Sequence, residues 1–503
     1  MVKTKKKKKK EDKPEWYNDK LSKQLWKPDI DDTFKVQHDF TNFKIVDQIN
    51  NNINKTILIK PNKIIDVKEQ IKKLEDKKNN KIAKTNNEAK IKSIITKHNK
   101  VVSNIDNVLI VVQHRICINK KQRKIIFNWM NECTKVYNYC VKLFNHNSSS
   151  FDLDYTKTKL RVFNALYYNE SKLAPYDILT DEVKTFCSNV KSAYTNLRNQ
   201  NIKKFKMKNK NVSSSQTILI PHISIQKNGF FKTFLGNIFD FEKKFDVDKI
   251  CSDCKLTFNK KTNSFTLYSP QYKKTQTPNQ QNEICALDPG EAIFMTYYGL
   301  DSCGKIGENI RKPILNQEAK IRKYQRILNN NKNKNGDKLK DRRSIKKKLR
   351  NCYKKIKNIV KELHNQSSLY LCKKYKKILI PEFKTQKMLR NKKKPKTKEE
   401  LKEKHKENRL NKRVKFMLNM LSHYKFRQQL LHKAEEYGCE VLIVKEEYTS
   451  KCCGNCGHLS NNYIGRIKKC PFCKFEMNRD INGSRNILMK NISPLIAKKK
   501  LRL

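Results

Sequence analysis

EICALDPGEAIFMTYYG, residues 283–299, is an apolar run that ends on an aspartate and turns at once on Pro-Gly. Asp288, Pro289 and Gly290 are the residue types that break a strand and reverse the chain between two β-runs. A carboxylate fixed at the end of a buried strand is also the arrangement that aims charge at a metal or a proton from a rigid element. One aspartate is compatible with both, so the rest of the chain has to decide between turn and site.

Lysine and arginine number 112 against 48 acidic residues, a formal net charge of +64 over 503 residues. That excess attracts phosphate strongly and in a salt-dependent way, so nucleic acid is the expected partner, although Lys- and Asn-rich usage also follows from an AT-biased genome. The length fits roughly two to four domains with sizeable cores. No apolar run approaches the roughly 18 residues of a membrane-spanning helix. The N-terminal MVKTKKKKKKEDK lacks the apolar region of a signal peptide, and a soluble intracellular protein is expected. The sixteen cysteines are then expected to be reduced thiols in the cytosol or nucleus, which turns attention from disulfides to metal.

Along the chain, residues 1–105 carry too little apolar periodicity for a core and are expected to be a mobile basic arm. Its KTKKKKKK at 3–10 suits a nuclear-import signal or a phosphate-binding tail. NVLIVVQHRICI from 107 is β-rich, and the following run keeps Ile126, Met130, Cys133, Tyr137 and Val141 at helical spacing. Residues 151–213 look mainly helical and end in the basic run IKKFKMKNKNV. Asn228-Gly229 between apolar runs predicts a hairpin, with more strands through YSPQY at 268–272. The outcome is a strand-rich unit with helices inserted after its first strand.

Two helices are expected between 316 and 373, separated by NNNKNKNGD, the second with Ile345, Leu349, Cys352, Ile356, Ile359 and Leu363 on one stripe. Their Lys/Arg faces are either solvated or track a phosphate backbone. Residues 385–413 are expected to form a mobile charged loop. A helix over about 414–437 should point Met417, Leu421, Tyr424 and Leu431 at a core and end on Gly438.

The most specific local signal is CGNC at 453–456 followed by CPFC at 470–473, with 13 residues between the knuckles. This is zinc-ribbon spacing, predicting a structural Zn²⁺ on Cys453, Cys456, Cys470 and Cys473. Four thiolates close the tetrahedron, so that metal would not be catalytic. Cys452 is expected to be a bystander, and Cys251 and Cys254, with no second pair nearby, ordinary thiols. Flanking the ribbon, CEVLIVKEEYTS at 439–450 runs an apolar strand into Glu446 and Glu447, and NRDINGSRNIL at 478–488 puts Asp480 at a helix start. Alone, Asp480 would suit a helix cap or first-turn acid. Three carboxylates at the margins of apolar elements, in so basic a chain, point instead to a two-metal phosphodiesterase site, with Mg²⁺ or Mn²⁺ as the oxygen-liganded metal.

The order ALDPG, EEYTSKCCGNCG, CPFC, NRDINGSRNIL resembles the transposon-encoded TnpB nucleases and, more closely, their eukaryotic and viral relatives called Fanzor, over about 107–490. The resemblance implies a multidomain α/β fold: an RNase H-like RuvC nuclease domain with an inserted zinc ribbon, a β-barrel wedge domain and a helical recognition domain. It implies an N-terminal arm at 1–105, wedge at 106–120 and 216–280, recognition domain at 121–215, nuclease domain at 281–450 and 477–503, and ribbon at 451–476. It also implies RNA-guided, Mg²⁺-dependent cleavage of DNA beside a short flanking motif. The partners would be a guide RNA and double-stranded target DNA, in a monomeric ribonucleoprotein of the nucleus or of a virus-infected host cell.

One departure affects the site. Many TnpB proteins carry their middle glutamate in a segment like VVEDLNVKNM, and aligning its methionine with Met388 of LIPEFKTQKM puts Pro381 at the glutamate. Either Glu382 substitutes, or the carboxylate has moved to the strand before TSK, where E-x-x-T-S-K selects Glu446. Glu447 would face away if that strand continues. The expected set is therefore Asp288, Glu446 and Asp480, ahead of Glu447 and Glu382. Two other functions compete: a non-catalytic DNA- or RNA-binding regulator, and a transposase or resolvase that needs no RNA. Copurifying RNA and metal-dependent nicking separate them.

Overall fold

The computed structural model describes residues 67–500 apart from 84, 86–87, 103–106, 147–150, 168–172, 213–214, 228, 238–246, 261, 277–281, 301, 331–338, 390–409 and 461–464. The expected import signal and most of the expected charged loop at 385–413 lie outside the described residues. The chain divides into two compact units, Met1–His98 with Thr275–Leu503, and Asn99–Lys274. No described helix is long and apolar enough to cross a membrane.

Part of the expected arm is helical: α1 spans Val67–Ile82 and α2 spans Glu88–Val102. Lys, Glu and Gln are good helix formers, and Val67, Ile71 and Leu74 fall at helical spacing, a pattern that the density of charge obscures.

In the second unit, β1 (Asn107–Ile116) leads into α3 (Lys120–His146), α4 (Tyr155–Tyr167) and α5 (Tyr176–Arg198). Then come β2 (Gln216–Ile220), β3 (Ile225–Gln226), β4 (Gly229–Phe230), the single turn α6 (Lys232–Leu235), β5 (Cys254–Asn259) and β6 (Ser264–Lys274). The main sheet runs β1-β6-β5-β2, antiparallel at every pairing. Among the described residues no pairing joins β1 to β2 to close the expected barrel. Ile126, Met130, Cys133, Tyr137 and Val141 of α3 are all buried, in a core shared with α4, α5 and the inner face of the sheet. Two expectations shift. Gln226 pairs with Gly229, so Gly229 belongs to the strand of the small hairpin rather than to its turn. The basic run 202–212 lies beyond the end of α5 and is not helical; Phe205 and Met207 pack at a spacing of two, which a helix cannot put on one face.

The other unit is built on a mixed sheet, formed by β7 (Asn282–Pro289), β8 (Met295–Gly299), β9 (Cys303–Ile306), β10 (Tyr375–Pro381) and β11 (Glu440–Val444) in the order β11-β10-β7-β8-β9. Strands β11, β10 and β7 are parallel; β8 and β9 continue antiparallel. Between β9 and β10 run α7 (Arg311–Asn330) and α8 (Leu339–Lys374), and between β10 and β11 run α9 (Thr385–Leu389), α10 (Lys412–Leu421) and α11 (His423–Tyr437). The chain closes with β12 (Ile467–Lys469), β13 (Glu476–Asn478) and α12 (Arg479–Lys500).

Side chains alternate across a strand, and the two sheet faces are covered differently. Cys285, Leu287, Ile378 and Ile380 join one core with Cys352 and Ile356 of α8, Met417 and Leu421 of α10, and Phe426 and Leu430 of α11. The residues between them, Ile284, Ala286 and Asp288, take the opposite face, and α12 packs against β7 and β8. The expected helix over 414–437 is two helices, because Ser422 has φ +50° and interrupts it. That break turns the second segment, which leaves Tyr424 62% exposed rather than in the core. Gly438 ends it at φ +62°, as a helix C-terminus favours. The start of the expected loop at 385 is the short helix α9.

Candidate functional site

The three parallel strands all end on one edge of the sheet, and the candidate carboxylates lie there. Asp288 is the seventh residue of β7, held by its pairing with Thr296 on β8. Glu382 follows Pro381, the last residue of β10, and Glu446 comes two residues after the end of β11. Carboxyl ends of parallel strands in open α/β sheets are where ligands bind, because the loops leave the sheet there and their side chains converge.

Asp480 arrives from elsewhere. It stands in the first turn of α12, whose N-terminal amides are capped by Asn478 Oδ1, 3.0 Å from the Asp480 N and 3.4 Å from the Ile481 N. Asp480 is therefore not the cap, and its carboxylate is left for other work. The helix approaches β7 at Gly483, where a Cβ would lie well inside contact distance of Asp288 Oδ2. No side chain but hydrogen allows this approach.

Asp288 is half-buried, and its carboxyl is pushed up to about 8, chiefly by desolvation and then by the charges of Asp480 and Glu446, with Arg479 opposing. Like charges that face one another across a partly dry space raise a carboxyl in this way. Glu446 is likewise raised, first by burial, then by Glu447 and more weakly by Glu382, while Lys490 opposes. The other two glutamates are engaged outward. Glu447 is held down by Lys490, whose Nζ donates to Oε2 at 2.9 Å, and Glu382 pairs with Lys384 at 2.7 Å. The strand stops at Val444, so the expected alternation of Glu446 and Glu447 along a continuing strand does not apply. What separates them is a turn: the Glu446 carbonyl accepts from Thr449 N at 3.3 Å and Thr449 Oγ1 at 2.8 Å, and Tyr448 takes φ +65°.

Cys453, Cys456, Cys470 and Cys473 bring their sulfurs within 4.8 Å of one another, the only such group of possible metal ligands among the described residues. Hydrogen bonding from the Cys456 side chain and from the backbone amides of Cys456 and Asn455 holds the Cys453 thiol down to about 5, while burial pushes it the other way. Cys251 and Cys254 join no such group, and none of the sixteen cysteines is in a disulfide. The arrangement fits a structural zinc.

Residues that sequence reasoning passed over tie the two places together. From the buried face of α12, Asn482 Nδ2 donates to the Cys452 carbonyl at 2.9 Å and its Oδ1 accepts from Gly454 N at 2.7 Å. Asn486 Nδ2 donates at 2.9 Å to both the Thr449 and Cys452 carbonyls. Arg485, wholly buried, donates to the Gly454 carbonyl, and Lys468 donates to the carbonyls of Ser450 and Cys452. Cys452, as expected, is no member of the thiol group, but its carbonyl is a backbone hub. Asn, Gly, Ser and Arg crowded into consecutive helical positions were the available signal, since such residues are costly inside a buried helix unless each has a partner.

The family model described as "Cas12f1-like, TNB domain" matches residues 423–487. "TnpB-like protein L79" of Acanthamoeba polyphaga mimivirus is 26% identical over 398 residues, 76% of this chain and 73% of that protein. The "CRISPR-associated endodeoxyribonuclease Cas12f1" of Sulfoacidibacillus thermotolerans is 42% identical over 78 residues, 15% of this chain and 18% of that protein. Among solved structures, a Cas12f1–sgRNA–target DNA complex aligns with 86% of this chain and 97% of its own at 14% identity and a TM-score of 0.43, too loose a likeness to argue from. The family model and the sequence relatives support a relationship to the TnpB/Cas12 group.

Proposed function

We propose that this chain is an RNA-guided DNA endonuclease of transposon origin, of the Fanzor type, with Asp288, Glu446 and Asp480 as its catalytic carboxylates. The observation that carries this is the meeting of Asp288 with the first turns of α12, and the electrostatic coupling of Asp288 to Asp480 and Glu446. Three acids from the end of β7, the turn after β11 and the start of α12 offer hard oxygens; among the described residues they are not drawn together as the four thiols are, and the charges of Asp480 and Glu446 that raise Asp288 are what a divalent cation would offset. The chemistry of these oxygen donors suits Mg²⁺, which would have to draw them together. Bound there, it would supply the positive charge and water activation that phosphodiester hydrolysis needs.

The chain's own contribution is placement. Strand pairing fixes Asp288, the Thr449 turn fixes Glu446, and the Asn478 cap fixes Asp480. Zinc on the four cysteines would hold the ribbon, and through the Cys452 and Gly454 backbone it would hold the loop after Glu446. In this proposal the second unit supplies the wedge and recognition domains, the mixed-sheet unit is RNase H-like, and guide pairing carries sequence information. The working form would be a monomeric ribonucleoprotein in the nucleus or in a virus-infected host cell.

The test is to purify the chain, sequence the RNA that comes with it, and offer DNA matched to that RNA with and without Mg²⁺. Cleavage of matched DNA only with both RNA and cation is expected. Cutting without RNA, or no cutting in any cation, would overturn the proposal.

A further inference from the structure

The basic run after α5 is fastened to α3 in a particular way. Asn138 clamps Lys210 from both sides, its Nδ2 donating to the Lys210 carbonyl at 3.1 Å and its Oδ1 accepting from the Lys210 N at 2.7 Å. One heptad along α3, Asn145 Nδ2 donates to the Met207 carbonyl at 3.0 Å. Seven helical residues rise about 10.5 Å, and three extended residues cover about 10 Å. The segment from Met207 to Lys210 therefore runs stretched and antiparallel along the helix.

Its inward side is anchored. Phe205 stacks on Phe144 at 6.2 Å between centroids and meets Tyr194 edge-on at 5.1 Å, and Met207 packs against the same core. Lys210 turns in to Glu182 and lies 4.3 Å from the centre of the Tyr137 ring. Alternating with Phe205 and Met207, Lys204, Lys206 and Lys208 are exposed. In an extended chain they leave on the outer side, about 6.6 Å apart. Among the described residues none of these three is paired with a carboxylate, whereas Lys210 is. Beside the run is an open cleft of about 470 Å³, lined by Asn209 together with Lys135 and Lys142 of α3.

A solvated lysine-rich loop would not need a doubly clamped backbone and two half-buried anchors. We infer that Lys204, Lys206 and Lys208 form a rail that takes successive phosphates of one nucleic-acid strand, held by the packing of Phe205 and Met207 between them and by the Asn145 and Asn138 clamps at Met207 and Lys210. The ligand chemistry is the phosphodiester backbone, and the inference rests on the nucleic-acid reading above. Charge neutralisation at a fixed spacing releases counterions without reading bases.

The test measures affinity against salt for the full-length chain with three labelled probes of one sequence: single-stranded RNA, single-stranded DNA and duplex DNA. Replacing all three lysines by glutamine should flatten the log–log salt slope by about 2–3 for the strand the rail holds. The triple arginine variant should restore the slope. Asn138→Ala with Asn145→Ala keeps every charge, and should weaken binding to that same probe at constant salt. Which probe responds identifies the strand; an equal response of all three also supports the rail, as one that takes any backbone. Wild-type binding with an unchanged slope in the glutamine variant on every probe would overturn the rail while leaving the nuclease proposal standing. Failure of wild type to bind any probe would sink both.

Discussion

The four thiols and the three carboxylates occupy the same unit and are built by opposite means. Each thiol pair comes from one short turn, CGNC or CPFC, and the sulfurs already lie within 4.8 Å of one another. The carboxylates come from two strand ends and a helix start far apart in the chain, and each of Asp288 and Glu446 is destabilised as an anion by its surroundings. Local turns can preassemble a ligand set because little of the chain has to fold first. Carboxylates carried by distant elements come near one another only after the sheet and α12 have packed, and the repulsion that raises Asp288 comes with that packing.

The comparison predicts its largest effect at the carboxylates. Asp288→Ala, Asp480→Ala and Glu446→Gln should each cut metal-supplemented cleavage by at least about 10²-fold, the scale set by losing one charge-stabilising group. Guided DNA binding should persist in all three, and Glu447→Gln and Glu382→Gln should keep most activity, since those glutamates face Lys490 and Lys384. Full activity in Glu446→Gln with loss in Glu382→Gln would assign the third carboxylate to the end of β10.

Replacing Cys453 and Cys456 by serine should release about one zinc per chain in metal analysis. Cleavage should fall with it, because the Cys452 and Gly454 backbone loses its anchor. A wild-type protein free of zinc would remove the thiol half of the comparison.

Gly483→Ala tests the packing between the halves. Its methyl would displace the Asp288 carboxylate, so cleavage should drop by roughly 10-fold or more, the scale seen when groups behind a metal site are disturbed, with zinc content unchanged.

A smaller effect concerns acid–base linkage. Because the folded pKa of Asp288 lies above its unfolded value, the folded state holds this proton more tightly, and stability is present at low pH and lost as pH climbs from about 4 towards about 8. In magnesium-free buffer Asp288→Asn should therefore melt at a higher temperature than wild type, with the gap widening from pH 5 to pH 9. Mg²⁺ should narrow it. A gap that does not change with pH would contradict the repulsion argument. Smallest of all, deleting residues 1–12 should leave cleavage in vitro unchanged and reduce nuclear accumulation; equal accumulation would remove the import-signal proposal.

How far these features could be read in advance follows from where their causes lie. Asp288, the cysteine knuckles and Asp480 were visible because a turn or a helix start announces each within a few residues. The stripe on α8 was visible through its period; Cys352 and Ile356 are buried as it requires. Gly483 was not, since its cause is Asp288, distant in sequence and on another element. Asn482, Arg485 and Asn486 look like a solvated polar face until the backbone of residues 449–454 is laid against them. The break at Ser422 escaped notice because a single serine within an apolar-periodic run is a weak turn signal, yet it takes φ +50° and ends the first helix there.

The Cys452 carbonyl has a further consequence, for engineering. It accepts from Lys468, Asn482 and Asn486, so the first knuckle is bolted to α12 through main-chain atoms rather than through any side chain of its own. A replacement for the segment that carries the four thiols should therefore present backbone carbonyls at positions 452 and 454 and an amide at 454. Trimming this segment to make a shorter chain should respect the same limit, since a cut at 452–454 would loosen the helix that carries Asp480.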